Sequence, residues 1–112
     1  MKIYHNPRCS KSRQTLNLLK EKGETPEIVL YLDNPPTKQE LQTLVKQLNI
    51  QPSQLLRKGE KIYKEQFKGK TIAEAEWIDI MIQYPKLIER PIVVKDGKAV
   101  LGRPPENVLD LL

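Results

Sequence analysis

The chain has 112 residues, 19 Lys and Arg against 14 Asp and Glu for a net charge of +5, and a single cysteine, Cys9. That length fits one domain over residues 1–112, and no apolar run approaches the roughly 20 residues that a membrane span requires. A lone cysteine excludes an internal disulfide and a four-cysteine metal centre; no metal site or membrane partner is expected, and a free thiol fits the reducing cytoplasm.

In chain order, Lys2 to Tyr4 reads as a short strand that Asn6-Pro7 breaks, and Leu16, Leu18 and Leu19 give an apolar face to a helix from about Ser10 to Lys22, capped by Gly23. "PEIVLYL", Pro26 to Leu32, is a predicted strand stopped by Asp33-Asn34-Pro35-Pro36. Thr37 and Glu40 have capping-box spacing, and Leu41, Leu44, Val45 and Leu48 follow at helical period. "SQLLR" is a short helical turn ending near Arg57, and the polar Lys58 to Lys70 stretch is expected to be irregular. A second capping-box pattern, Thr71 to Glu74, opens a helix through Trp77, Ile78, Met81 and Ile82 to Tyr84, limited by Pro85. "PIVV" and "AVL" flank Asp96-Gly97, a hairpin signal, and Pro104-Pro105-Glu106 begins a last helix with Val108, Leu109, Leu111 and Leu112 on its buried side.

A β-α-β start makes two parallel strands and the hairpin two antiparallel ones. The economical packing is an α/β fold with a mixed four-stranded sheet covered by helices.

Cys9 stands where the loop after the first strand enters the first helix. Helix amides and nearby cations lower a thiol's pKa, and His5, Arg8 and Arg13 lie close in sequence. The same amides would hold an anion. The competing reading is a small buried apolar residue; the polar, basic loop favours a nucleophile. In "CSKS" a second cysteine at position 12 would complete an internal redox pair, but Ser12 stands there. Its hydroxyl can donate to the Cys9 thiolate, or it can serve as an ordinary helix-start residue. Without a second cysteine, an intermediate on Cys9 needs an outside thiol, glutathione or a protein thiol, to discharge it.

The basic residues divide into fourteen lysines and five arginines. The lysines are spread among glutamates, as solubilising residues are, and with aromatics at only 5% and no basic block, nucleic acid is not an expected partner. The arginines, Arg8, Arg13, Arg57, Arg90 and Arg103, sit at junctions. Each alone fits a surface salt bridge. Together with a nucleophilic thiol they suggest an oxyanion site, since a thiolate repels an incoming oxyanion unless positive charge compensates.

The stretches "YHNPRCSKSR", "LYLDNPPTKQEL", "LLRKGE", "ERPIVV" and "LGRPPENVLDLL", in this order along nearly the whole chain, resemble the glutaredoxin-coupled arsenate reductases. The resemblance implies a thioredoxin-like fold, Cys9 as redox nucleophile, and an arginine triad of Arg57, Arg90 and Arg103 that holds the oxyanion and its product. It places His5 and Ser12 beside the thiol to keep it ionised and marks Pro91 as a cis-proline facing the thiol; Arg13, in the first turn after Cys9, is a further candidate to support the thiolate by its nearness in sequence. By the same analogy, Cys9 attacks arsenate, glutathione displaces the adduct, glutaredoxin removes the glutathione and arsenite leaves. No bound cofactor or metal is implied; glutathione is a co-substrate and glutaredoxin a partner. Two other functions fit the same outline. One is a glutathione-dependent thiol reductase acting on a mixed disulfide or another oxyanion; the other is an Spx-like transcription regulator, whose two-cysteine switch this chain lacks.

Overall fold

The computed structural model describes residues 1–112. The chain gathers into two units, Met1–Asn34 with Arg90–Leu112, and Pro35–Glu89.

The first unit is built on a four-stranded sheet of order β2-β1-β3-β4. Strand β1 (Lys2–Tyr4) pairs in parallel with β2 (Glu27–Val29) and antiparallel with β3 (Ile92–Lys95), which pairs with β4 (Lys98–Leu101). The expected mixed sheet is therefore present. Ile3 faces Ile28 on one side and Val93 on the other. Between β1 and β2 runs helix α1 (Ser10–Glu21), which buries Leu16 and Leu19 beneath the sheet with Ile3, Val93 and Val108. Each such side chain contributes roughly 1.5–3 kcal/mol. A surface pair such as Lys2 with Glu27, 3.5 Å apart, contributes at most about 1 kcal/mol, so apolar burial holds this unit together.

Gly23 ends α1 as expected. Its φ of +83° lets its N–H reach the Lys20 carbonyl and that of Glu24 reach Leu19, both at 3.0 Å, the paired bonds of a Schellman ending. Asp96 and Gly97 turn the β3–β4 hairpin with φ of +51° and +78°, both in the left-handed region that a type I′ turn requires.

Two expectations in this unit are corrected. The strand predicted over Pro26 to Leu32 is three residues long; from Leu30 the chain turns back, with the Asp33 and Asn34 N–H groups on the Leu30 carbonyl. The partner β1 offers only three residues for pairing, and β2 is an edge with Ile28 exposed. The last helix is a 3-10 helix, Pro105–Leu111, in which Val108 is fully buried while Leu109 and, just past its end, Leu112 are exposed. Three residues per turn stack i over i+3 and narrow the buried stripe.

The second unit is helical. Helix α2 (Lys38–Leu48) carries the expected capping box, with the Glu40 N–H on Thr37 Oγ1 and the Thr37 N–H on Glu40 Oε1, each at 3.1 Å. Leu41, Leu44 and Val45 form its buried face, and Asn49 ends it in the left-handed conformation. A 3-10 turn, Pro52–Leu55, leads to Arg57.

The stretch predicted as irregular contains a helix, α3 (Lys61–Gln66). Six residues long, with only Ile62 and the Tyr63 ring among charged and polar neighbours, it has no apolar stripe to announce it. Aromatic packing supports it: Tyr63 lies 6.3 Å and Phe67 5.8 Å from the Trp77 ring.

The capping box expected at Thr71 does not form. Helix α4 (Glu74–Gln83) starts from Ala73, because the Glu74 carboxylate is engaged by the N–H and hydroxyl of Ser53 at 2.9 and 2.7 Å. No helix of the structure is long and apolar enough to cross a membrane.

Candidate active site

Cys9 is the N-cap of α1, in extended conformation with φ −94° and ψ 123°. An N-cap oxygen would normally accept the N–H groups two and three residues on. Here no conventional side-chain cap bond forms, and sulfur stands in the oxygen's place. Burial alone raises the thiol's pKa. The Ser12 N–H, the Arg90 guanidinium by hydrogen bond and by charge, and the Lys11 N–H outweigh it, so that the pKa lies below its ordinary value. No acidic residue occupies the first turn, which leaves the positive end of the helix dipole acting on the sulfur. The thiol is partly exposed, as a nucleophile must be.

The preceding loop is held by Asn6, which sequence reasoning used only as a strand breaker. Its buried side chain accepts the Arg8 N–H on Oδ1 at 3.0 Å, its carbonyl accepts the Cys9 N–H at 3.0 Å, and its own N–H donates to Ser12 Oγ at 3.0 Å. An Asn-Pro pair before a helix is the signal for such an Asx-type turn. We expect Asn6→Ala to lower stability by about 1 kcal/mol and to slow alkylation of Cys9. Unchanged values of both in thermal melts and iodoacetamide kinetics would remove Asn6 from this role.

His5 and Ser12 are both buried, with His5 Nδ1 2.6 Å from Ser12 Oγ. Burial first, then the charges of Arg13 and Lys20, lower the His5 pKa, so the ring is neutral at pH 7. His5 is therefore a hydrogen-bond partner of Ser12 and brings no positive charge to the thiolate. With Nδ1 bare, Ser12 donates to it. With Nδ1 protonated, His5 donates and the hydroxyl hydrogen is left for another acceptor.

Arg13 donates from Nη1 to the Pro7 carbonyl at 2.9 Å, which ties α1 to the loop. The positive charge at the sulfur comes from the far end of the chain. Arg90, half-buried, precedes β3 and acts directly on Cys9. Arg103, exposed after β4, directs Nη1 toward Cys9 Sγ at 3.8 Å and toward the Arg90 carbonyl at 3.3 Å. The Arg90–Pro91 peptide is cis, and so is Arg103–Pro104, for which no expectation was set. The Asn107 amide secures the Arg103 segment by donating to the carbonyls of Arg103 and Leu101 at 3.1 and 3.3 Å.

Arg57 lies in the second unit. Its N–H donates to the Leu87 carbonyl beside the Leu56–Ile88 bridge, and its guanidinium is oriented by Glu60 at 3.2 Å and Glu89 at 3.0 Å. No group of three or more His, Cys, Asp and Glu side chains is placed to hold a metal ion.

Within the first unit, then, the fold brings together a thiol of lowered pKa, two helix amides and two guanidiniums. Such a set can stabilise a thiolate and accept a tetrahedral oxyanion beside it.

The chain is 52% identical to the uncharacterized protein YfgD of Escherichia coli K12, with 100% of this chain and 96% of the other covered. It is 45% identical to the arsenate reductase of Haemophilus influenzae, covering 98% and 97%. Its structure matches that of the arsenate reductase from Vibrio cholerae with a TM-score of 0.95 at 45% identity, covering 99% of this chain and 96% of that one. The thioredoxin-like architecture is thus shared with these structures. A model of the ArsC family matches residues 4–111, and with these relatives along its whole length the chain belongs to the ArsC family.

Proposed function

We propose that the protein is an arsenate reductase in which Cys9 is the nucleophile. One observation carries this reading: a thiol of lowered pKa at a helix N-cap with the guanidiniums of Arg90 and Arg103 turned to it. The arsenate reductases among its relatives supply the substrate.

The Cys9 thiolate attacks arsenate, forming a sulfur–arsenic bond as an arsenate hydroxyl takes a proton from solvent and leaves as water. A glutathione thiolate then attacks the Cys9 sulfur. The electron pair of the sulfur–arsenic bond goes to arsenic, which leaves as arsenite, and a Cys9–glutathione disulfide remains. Glutaredoxin takes up the glutathione and restores the thiol. Electrons balance: two sulfurs are oxidised by one each and arsenic gains two. The external thiol is required because Ser12 stands at the resolving position.

Arg90 and Arg103 neutralise the oxyanion as it approaches the thiolate. Arg57 is the third member of the oxyanion set, supported by its place in "LLRKGE". His5 and Ser12 act as a buried pair that shapes the loop around the sulfur, with Arg13 bracing it, and Pro91 presents the backbone opposite the thiol. Residues 1–112 work as one domain, a reading supported by one family model running across both units. The lone free thiol favours the cytoplasm.

The test is a coupled assay with arsenate, glutathione, glutaredoxin, glutathione reductase and NADPH. Wild type is expected to consume NADPH in proportion to arsenate, and Cys9→Ser to fall to background. Equal rates in both would sink the nucleophile assignment. Reduction of a glutathionylated peptide without arsenate turnover would favour the thiol reductase instead.

A further inference from the structure

We propose that Thr15 is a positioning residue for the chemistry at Cys9, clamping the helix that carries the thiol against the backbone that carries the two arginines. The proposal rests on the reading of Cys9 and its arginines given above. It concerns a residue that touches neither sulfur nor oxyanion.

Thr15 is fully buried on α1. Its hydroxyl has one hydrogen and two acceptors in range, the Lys11 carbonyl of its own helix at 2.8 Å and the Gly102 carbonyl at 3.1 Å. The first contact is the back-bond that helical threonines commonly make, and it says nothing about function. The second reaches across the unit to the residue before Arg103, and no local preference can supply it.

Gly102 makes this crossing tight. A Cβ added there would lie 2.6 Å from Thr15 Oγ1 and 2.8 Å from both Thr15 Cγ2 and Pro91 Cγ. The Gly102 N–H donates to the Pro91 carbonyl at 2.9 Å. Helix, strand end and proline corner therefore meet at one backbone position, with no slack between them. Arg103 follows Gly102 directly and Arg90 precedes Pro91 directly.

On the helix side, Thr15 lies one turn after Lys11, which supplies one of the N–H groups that lower the Cys9 pKa. The clamp thus acts on the turn that faces the sulfur at one end and on the arginine-bearing backbone at the other. With Arg103 Nη1 already 3.8 Å from Sγ, a small slide of α1 changes the charge felt by the thiolate, since that interaction falls with distance. Thr15 sets this spacing.

Thr15→Val keeps the shape and removes the hydroxyl; Thr15→Ser keeps the hydroxyl. The measurement is the rate of Cys9 alkylation by iodoacetamide across pH, alongside the coupled arsenate assay and thermal melts. Thr15→Val is expected to alkylate about fivefold more slowly on the acid side of the profile, the loss that follows from one buried hydrogen bond, with the profile moved to higher pH. Thr15→Ser is expected to stay within about twofold of wild type. Replacing Arg103 with alanine should slow alkylation less in the Thr15→Val background than in wild type, because the two changes act on one distance. Should Thr15→Val fail to fold, Thr15→Ala takes the same measurements without adding bulk.

A wild-type pH profile in a hydroxyl-free variant that melts early would overturn the proposal and leave Thr15 a packing residue. Alkylation needs no arsenate. A protein whose thiol follows this pattern yet reduces no arsenate would refute the substrate reading and keep the clamp.

Discussion

Arg90→Ala is expected to lower arsenate turnover by about 10²-fold, the scale of losing one donor to a developing oxyanion, and to move the pH profile of Cys9 alkylation upward. The direction follows from the site. Burial raises the thiol's pKa, and Arg90 opposes it both by a hydrogen bond and by its charge. Removing Arg90 leaves burial opposed only by the helix amides and Arg103, so the folded-state pKa rises. At any pH below that pKa a smaller fraction is thiolate, and alkylation slows; well above it the rates converge, because both proteins are then ionised. Arg90→Lys should recover part of the alkylation rate and little of the turnover, since an ammonium keeps the charge and loses the planar fork. An unchanged profile together with unchanged turnover in Arg90→Ala would remove Arg90 from the site.

The second large effect is on stability. Gly102→Ala should cost roughly 1–3 kcal/mol, the usual penalty of adding a methyl to a filled interior. The new carbon would meet both branches of Thr15 and the Pro91 ring at 2.6 to 2.8 Å, and these neighbours are themselves buried. Gly59 is the control, with no atom within 4 Å of an added Cβ and no positive φ. Gly59→Ala should stay within about 0.5 kcal/mol of wild type. At roughly 4 °C per kcal/mol for a chain of this size, thermal melts separate the two variants. Equal midpoints would show that the Gly102 region yields without cost.

These variants also separate what is local in the protein from what is not. The Thr37–Glu40 capping box, the Gly23 helix ending and the Asp96-Gly97 hairpin are all legible in a few adjacent residues, because the groups that satisfy one another are neighbours in the chain. The identical spacing at Thr71 and Glu74 misleads. A carboxylate can serve only so many donors, and Ser53, distant in sequence, takes it. Helix α3 goes unseen for the complementary reason: the rings that support it belong in part to α4.

In the site, the sequence by itself determined where the lone thiol sits, at the start of a helix, and that the arginines stand apart from the lysines. One cysteine after an Asn-Pro turn at the start of a helix can hardly avoid the helix amides, and arginines kept apart from the lysine-rich surface point to an anion. Which cations reach the sulfur was decided by the tertiary structure. His5 and Arg13 are near Cys9 in sequence, yet burial keeps one neutral and a loop carbonyl holds the other, while Arg90 and Arg103 arrive from the two ends of the β3–β4 hairpin. The Thr15–Gly102 contact belongs entirely to this second class. Hydrogen bonds and close packing depend on distances of a few ångströms, and only the folded sheet brings residues so far apart in the chain within that range.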